Sequence, residues 1–117
     1  MSVHLIRLAG PWELQAEAAD PVRVKLPSKV PANGWLSRKF HRPSGLDHGS
    51  VVRVELNTDG IRLIVKLNGR ELSPTSESPL QFDITSLLQA FNSLRVQADG
   101  VDESVLQSVV LQIIETE

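Results

Sequence analysis

The stretch IRLIVKLNGREL, at residues 61–72, decides the fold of this chain. Apolar side chains recur at every second position from residue 61 to residue 67, and this period of two is typical of a strand with one buried face. Asn68-Gly69 then supplies the two residues with positive φ that a type I′ hairpin requires. Residues 52–56 alternate in the same way, and Asp59-Gly60 closes the turn between the two runs. The pattern predicts three consecutive antiparallel strands, with the middle strand near the centre of a sheet.

Short alternating segments of the same kind fill most of the remaining chain, and proline or glycine separates many of them. They lie at residues 12–15, 22–26, 35–42, 81–84, 94–98 and 105–115. Pro27 and Pro31 bracket a segment that cannot be a central strand, because proline has no amide hydrogen to donate. Almost no segment has a helical period. Eight or nine short strands with turn residues between them predict an all-β fold, an antiparallel β-sandwich or jelly roll.

Length and composition narrow the class of protein. The 117 residues suit one domain, 1–117, and the net charge of −2 with interleaved signs gives no reason to expect a nucleic-acid partner. The chain has no cysteine, which removes disulfides, a thiol nucleophile and cysteine-ligated zinc. Neither a signal peptide nor a membrane-spanning stretch is recognisable. We therefore expect a soluble cytoplasmic protein that does not bind membranes.

Motifs for chemistry are missing from the sequence. There is no G-x-S-x-G nucleophile elbow and no glycine-rich phosphate loop, and the three histidines have no metal-pair spacing. The loop DGVDE at residues 99–103 offers carboxylates for Ca²⁺, but without the ligand spacing of an EF-hand a solvated loop is favoured. We predict no catalytic residues, no metal site and no cofactor.

The two tryptophans are the most informative large side chains. Trp12 follows a Gly-Pro turn at the start of an alternating segment, which favours a place in the core with its indole N–H bonded to the backbone. Trp35 lies outside any clear alternation, after Asn33-Gly34. Both a structural role and an exposed aromatic face remain open for Trp35.

Six short motifs occur in a fixed order along the chain. They are GPW at 10–12, VP at 30–31, RKF at 38–40, VKLNGREL at 65–72, FDITSLL at 82–88 and NSLRV at 92–96. Together they resemble the N-terminal sugar-binding domain of family 2 glycoside hydrolases, the β-galactosidase and β-glucuronidase group. The resemblance implies a galactose-binding-like jelly roll of two antiparallel sheets. It also implies a non-catalytic, stand-alone module, since the catalytic carboxylates of those enzymes lie in a separate barrel domain.

We expect one of two functions. A third hypothesis, that the chain is an enzyme in its own right, ranks behind both. The first is a carbohydrate-binding-like module that holds a sugar at Trp35, His41, Arg42 and Asp47, which fall in or beside loops. The second is a module for protein interaction or homo-oligomerisation. In the last strand region, Val110 and Ile114 form a second apolar row that needs cover. Either a partner or the chain's own N-terminal run, residues 4–8, is expected to supply it.

Overall fold

The computed structural model describes residues 2–58, 62–99 and 104–115. Within these ranges the regular structure is β apart from one 3₁₀ turn at Thr85–Leu87, which confirms the predicted all-β class. No helix there has the length and apolar character that crossing a membrane requires. The strands are β1 (Ser2–Arg7), β2 (Trp12–Ala16), β3 (Val22–Val24), β4 (Ser28–Val30), β5 (Gly34–His41), β6 (Val51–Thr58), β7 (Leu63–Leu67), β8 (Arg70–Glu71), β9 (Ser76–Glu77), β10 (Leu80–Asp83), β11 (Phe91–Ala98) and β12 (Ser104–Glu115).

These strands form two sheets of six, and every strand pair is antiparallel. The first sheet has the order β1-β12-β6-β10-β9, with β4 pairing with β12 beyond the end of β1. The second sheet has the order β3-β2-β5-β11-β7-β8. Strands adjacent in a sheet are mostly distant in sequence, as in β12-β6 and β5-β11. The architecture is the predicted β-sandwich of the jelly-roll type.

The predicted run of three consecutive paired strands is wrong. Strand β6 belongs to the first sheet, where Val54 lies opposite Leu111, whereas β7 belongs to the second sheet, where Val65 lies opposite Val96. Strand β7 lies next to the two-residue β8, near the edge of its sheet rather than at its centre. A connection that leads from one sheet to the other, called an arch, joins two alternating strands through turn residues, as a hairpin does. The local sequence pattern therefore does not distinguish an arch from a hairpin. The predicted turn at Asp59-Gly60 lies outside the described residues.

The hairpin between β7 and β8 is confirmed. Leu67 pairs with Arg70 across a two-residue loop, and the φ angles of Asn68 and Gly69 are 53° and 85°. Positive φ at both positions defines the type I′ turn, whose twist matches that of the flanking strands.

The core fills the space between the sheets, and inward rows from both sheets supply it. Trp12 is 1% exposed and its Nε1 donates a 2.6 Å hydrogen bond to the carbonyl oxygen of Leu8, as its position in the sequence predicts. The other large, fully buried side chains are Leu36, Leu56, Leu67, Ile84, Leu94, Leu106 and Leu111.

Strand β4, between Pro27 and Pro31, pairs only with β12, which confirms the prediction that it is not a central strand. One expectation is that the N-terminal run, residues 4–8, covers Val110 and Ile114. The structure does not show this arrangement. Instead β1 lies beside β12 in the same sheet, with Val3 opposite Ile114 and Arg7 opposite Val110. A strand with unpaired neighbours gains more hydrogen bonds by extending the sheet than by lying across its face.

Candidate functional site

The outer face of the second sheet carries two of the predicted site residues. In β5 the side chains of Leu36 and Phe40 are buried, so the odd-numbered residues between and beside them point away from the core. The same alternation in β11 places Phe91 and Ser93 on this face, because Asn92 and Leu94 are buried.

An aromatic pair stands at one end of this face. His41 is the last residue of β5 and lies directly opposite Phe91, the first residue of β11. Their rings meet edge to face, with centroids 4.9 Å apart and planes inclined by 61°. The side chain of Phe91 is 71% exposed, although a phenyl ring usually gains by burial. The sheet register therefore holds an aromatic surface in solvent.

A shallow groove of about 490 Å³ runs beside the aromatic pair. Its lining combines the two rings with the polar side chains of Lys39 and Ser93, which lie one step along the strands on the same outer face. A mixture of apolar surface and a few convergent polar groups is what small-molecule sites in proteins generally present. Phe40, Asn68 and Asn92 complete the lining.

Hydrogen bonds of Asn92 fix the strand ends that carry the pair. Its Oδ1 accepts from the Gln89 amide at 2.9 Å and from Asn68 Nδ2 at 3.1 Å. Its Nδ2 donates to the carbonyl oxygens of Gln89, at 2.9 Å, and Phe40, at 3.5 Å. Because Asn92 is 3% exposed and bonded on both amide atoms, it positions the site and does not offer itself to a ligand.

Arg42 follows His41 in the chain and shares its end of the sheet. Its side chain is exposed, and its backbone amide donates to the carbonyl oxygen of Ala90 at 3.0 Å. This bond joins the residue after β5 to the residue before β11. The exposed guanidinium group of Arg42 carries five N–H donors at this end of the sheet.

Asp47 is engaged in its own turn. Its Oδ1 accepts hydrogen bonds from the Gly49 amide at 2.9 Å and from Ser50 Oγ at 3.2 Å, and Ser50 is buried. The carboxylate thus shapes the loop after β5, as an Asx turn does.

Trp35 lies on the same outer face, but far from His41. His41 is six positions further along β5 than Trp35, a distance of about 20 Å at the usual rise per residue. The Nζ of Lys66 lies 5.2 Å from the centroid of the half-buried Trp35 ring. His41 and Arg42 therefore lie at the same end of the second sheet, whereas Trp35 forms a separate cation–π contact.

A larger groove of about 820 Å³ opens between the two sheets, beside β8 and β9. Four carboxylates line it: Glu55, Glu71, Glu77 and Asp99. Glu55 accepts a 2.9 Å hydrogen bond from Gln81 Nε2, and the other three are exposed. Among the described residues, no three His, Cys, Asp or Glu side chains are arranged to hold a metal ion. Residues 100–103 of the loop considered for Ca²⁺ lie outside the described ranges.

No protein-family model matches the chain, and no curated protein matches it either. Solved structures do. An FMN-binding β-glucuronidase from Facaelibacterium prausnitzii L2-6 has a TM-score of 0.77 at 20% identity, over 97% of this chain and 23% of the enzyme. A glycosyl hydrolase family 2 member from Bacteroides cellulosilyticus DSM 14838 has a TM-score of 0.69 at 14% identity, over 95% and 21%. A β-glucuronidase from Bifidobacterium dentium, complexed with coumarin-3-O-glucuronide, has a TM-score of 0.70 at 16% identity, over 99% and 31%.

At such identities the likeness concerns the fold alone. This chain spans only 21% to 31% of the three enzymes named. The resemblance indicated by the sequence motifs is confirmed at that level. The chain folds like one region of family 2 glycoside hydrolases, and this fits the N-terminal domain that the motifs indicate.

Sequence reasoning missed Phe91 as a surface residue, although a signal was present. Leu94, Val96 and Ala98 form the inward row of their strand, so the odd-numbered positions point outward. Extending that alternation back by three residues places Phe91 on the outer face. The partner strand that sets His41 beside it is fifty residues away in the chain.

Proposed function

We propose that this chain is a non-catalytic, carbohydrate-binding module whose contact surface is the His41–Phe91 aromatic pair. The observation that carries the proposal is the 71% exposure of Phe91, which is held edge-on against His41 at the mouth of a polar-rimmed groove. The fold shared with glycoside hydrolases is what points to sugars as the ligand class.

The chemistry of a sugar suits this surface. One face of a pyranose ring presents C–H groups, which pack on an aromatic ring, while its hydroxyls need hydrogen-bond partners. Phe91 offers the apolar contact, Lys39 and Ser93 line the same groove with donors, and Arg42 offers further donors from the position after His41. A carboxylated sugar gains most, because a lysine and an arginine both carry positive charge. The site is open and small, so we expect a dissociation constant of roughly 0.1–1 mM.

The predicted site residues take different roles in this proposal. His41 supports the ring of Phe91 and contacts the sugar, and Arg42 binds its hydroxyls or carboxylate. Asp47 shapes the loop from within. Trp35 contacts only an extended oligosaccharide, because it lies about 20 Å along β5 from His41.

The same module is non-catalytic in our proposal. Glycoside hydrolysis generally uses two facing carboxyl groups, one of them kept protonated by an apolar enclosure. The groove between the sheets does hold four carboxylates, but Glu71, Glu77 and Asp99 are exposed. We expect no release of chromophore from aryl β-glucuronides or aryl β-galactosides above the rate in buffer.

A ¹H–¹⁵N NMR titration with glucuronic acid, galactose and their β-linked oligosaccharides tests the proposal. We expect saturable shifts at residues 39–42 and 91–93, which Phe91→Ala removes. Val22→Ala is the matched control, since Val22 is also an exposed apolar residue of the second sheet, 51% exposed on β3. Binding retained by Phe91→Ala would place the sugar elsewhere, and no shift with any sugar would overturn the proposal.

Self-association is the second candidate function, and a separate observation favours it. The apolar edge strand β1 is exposed along its whole length. It belongs to the first sheet, whereas the aromatic pair belongs to the second, so the two functions use different surfaces.

A further inference from the structure

Strand β1 is the most exposed apolar element of the described chain. All six of its residues, Ser2–Arg7, are exposed. The exposed fractions of Val3, Leu5 and Ile6 are 54%, 64% and 39%. On one side β1 pairs with β12, and on its other side no strand among the described residues pairs with it. An apolar strand with one unpaired edge readily adds another strand.

The other edges of the sandwich carry features that discourage such pairing. Strand β8 has only two residues, both charged, and β9 has only two, between Pro74 and Pro79. Strand β4 lies between Pro27 and Pro31, while β3 follows Pro21 and places Arg23 at its centre. Short length, charge and proline are the usual means of protecting an edge. Strand β1 has six residues, no proline and no acidic residue or lysine.

Hydrogen bonding shows which backbone groups of β1 are free. The amide of Leu8 donates to the carbonyl oxygen of Val109 at 2.9 Å, so Leu8 faces β12. Because successive residues of a strand face opposite neighbours, the even-numbered residues of β1 face β12 and the odd-numbered residues from Val3 to Arg7 face the free edge. The free edge therefore presents an alternating row of donors and acceptors.

We propose that β1 pairs with β1 of a second copy of this chain, antiparallel, about a two-fold axis through Leu5. Each Leu5 then lies opposite Leu5 of the second copy, and Val3 lies opposite Arg7 of the second copy. Every free amide and carbonyl from Val3 to Arg7 gains a partner, in six hydrogen bonds. The first sheets of the two copies become one continuous sheet.

The Leu5 register is favoured over its neighbour by the side-chain pairs that it forms. Centring the axis on His4 would set two imidazoles side by side. With the axis on Leu5, two apolar leucine side chains are paired and His4 lies opposite Ile6 of the second copy. Two-fold symmetry requires only this one self-complementary strand, which is why a second copy is the fitting occupant.

The outer face of the first sheet gives the pairing apolar contacts. Val3, Ile114 and Val51 lie side by side in one row across β1, β12 and β6. In the dimer the two Leu5 side chains meet on this same face, next to the row of Val3, Ile114 and Val51 in each copy. The half-buried Ile114 and Val110 lie on this face one strand away from the interface, beside Val3 and Arg7 of β1.

Light scattering of the whole chain at concentrations up to about 1 mM tests the proposal. We expect a mass twice the 12.9 kDa of one chain for the unaltered protein. Leu5→Pro removes an amide that faces the free edge and no bond to β12, and Leu5→Lys sets two like charges on the axis. Both variants are expected to be monomeric with an unchanged circular dichroism spectrum. Gln112→Lys is the control, because Gln112 lies beside Leu5 on the same face but on an internal strand.

A monomeric unaltered protein at about 1 mM, or dimers that persist in both Leu5 variants, would overturn the proposal. The register is tested separately, because the chain has no cysteine. With Leu5→Cys the two Cα atoms lie about 5.5 Å apart, within disulfide range. With Val3→Cys they are separated by about 13 Å along the strands. Disulfide formation by Leu5→Cys alone supports the register, and equal formation by Val3→Cys contradicts it.

Discussion

Asn68 and Asn92 hydrogen-bond to each other through their side chains, with Asn68 Nδ2 donating to Asn92 Oδ1 at 3.1 Å. Asn68 belongs to the β7–β8 hairpin, and its own Oδ1 accepts the amide of Ser93 at 2.8 Å. The motifs VKLNGREL and NSLRV, which are far apart in sequence, therefore meet in space. The residues that carry the family resemblance hold the fold together, so the resemblance informs on architecture more than on ligand.

Substitution Asn92→Ala is expected to lower the free energy of unfolding by about 2–3 kcal/mol, because it leaves the amide and carbonyl of Gln89 without their partner inside the protein. Urea denaturation measures the change. The double-mutant cycle with Asn68→Ala is expected to give a coupling of about 1 kcal/mol. Ser93→Ala, next in sequence on the outer face, serves as the control and should change stability by less than about 0.5 kcal/mol. A similar loss for both variants would contradict the assigned role.

Local rules of the sequence predict the elements of this fold but not their assignment to sheets. The Asn68-Gly69 turn follows from two adjacent residues that tolerate positive φ, and the buried place of Trp12 from the turn before it. By contrast, whether β6 and β7 pair depends on β11 and β12, which are distant in sequence. The free-energy difference between a hairpin and an arch lies in those long-range contacts.

Gly34 is expected to be the least replaceable glycine among those described. Its φ is +138°, and a Cβ built there would lie 2.0 Å from the backbone oxygen of Gln15 on β2. Gly34→Ala must separate β2 from β5, so we expect a loss of more than about 3 kcal/mol or failure to fold. Gly45→Ala is the matched control, with φ of +79° and open space around the Cβ position, at a cost of about 1 kcal/mol. Equal melting temperatures for the two variants would be inconsistent with this contact.

The candidate site is less predictable than the fold, for a geometric reason. Alternation indicates that His41 and Phe91 each point outward, but only the β5–β11 register makes them neighbours. Trp35 and His41 appear as one cluster in the sequence, yet a strand between them keeps them apart. Asp47 has the residue type of a ligand contact and is bonded within its turn. A loop residue contributes to a binding site only where the fold places it, and that placement depends on the packing of the whole sandwich.

Thr85 continues the β6–β10 ladder with its side chain. Its Oγ1 accepts the amide of Val52 at 2.9 Å and donates to Asp83 Oδ1 at 2.6 Å, while Asp83 Oδ1 also accepts the Thr85 amide at 3.0 Å. Thr85→Val keeps the shape and leaves the Val52 amide without an acceptor, so we expect a loss of about 1–2 kcal/mol in thermal unfolding. Thr85→Ser should recover most of it, whereas exposed Ser86→Ala should have no effect. Failure of serine to recover stability would assign the loss to packing instead.

The same substitution at the two tryptophans separates core from surface. Trp12→Phe removes a buried indole and its 2.6 Å bond to the carbonyl oxygen of Leu8, so we expect a loss of about 2–4 kcal/mol in urea denaturation. Trp35→Phe keeps an aromatic face under the Nζ of Lys66 and should cost less than about 1 kcal/mol. Each variant keeps one tryptophan, and the wavelength of its fluorescence emission maximum identifies the variant. Buried Trp12 should emit at a shorter wavelength than half-buried Trp35. A greater loss at Trp35 would mean that the outer face of the second sheet contributes more to stability than the core contact at Leu8.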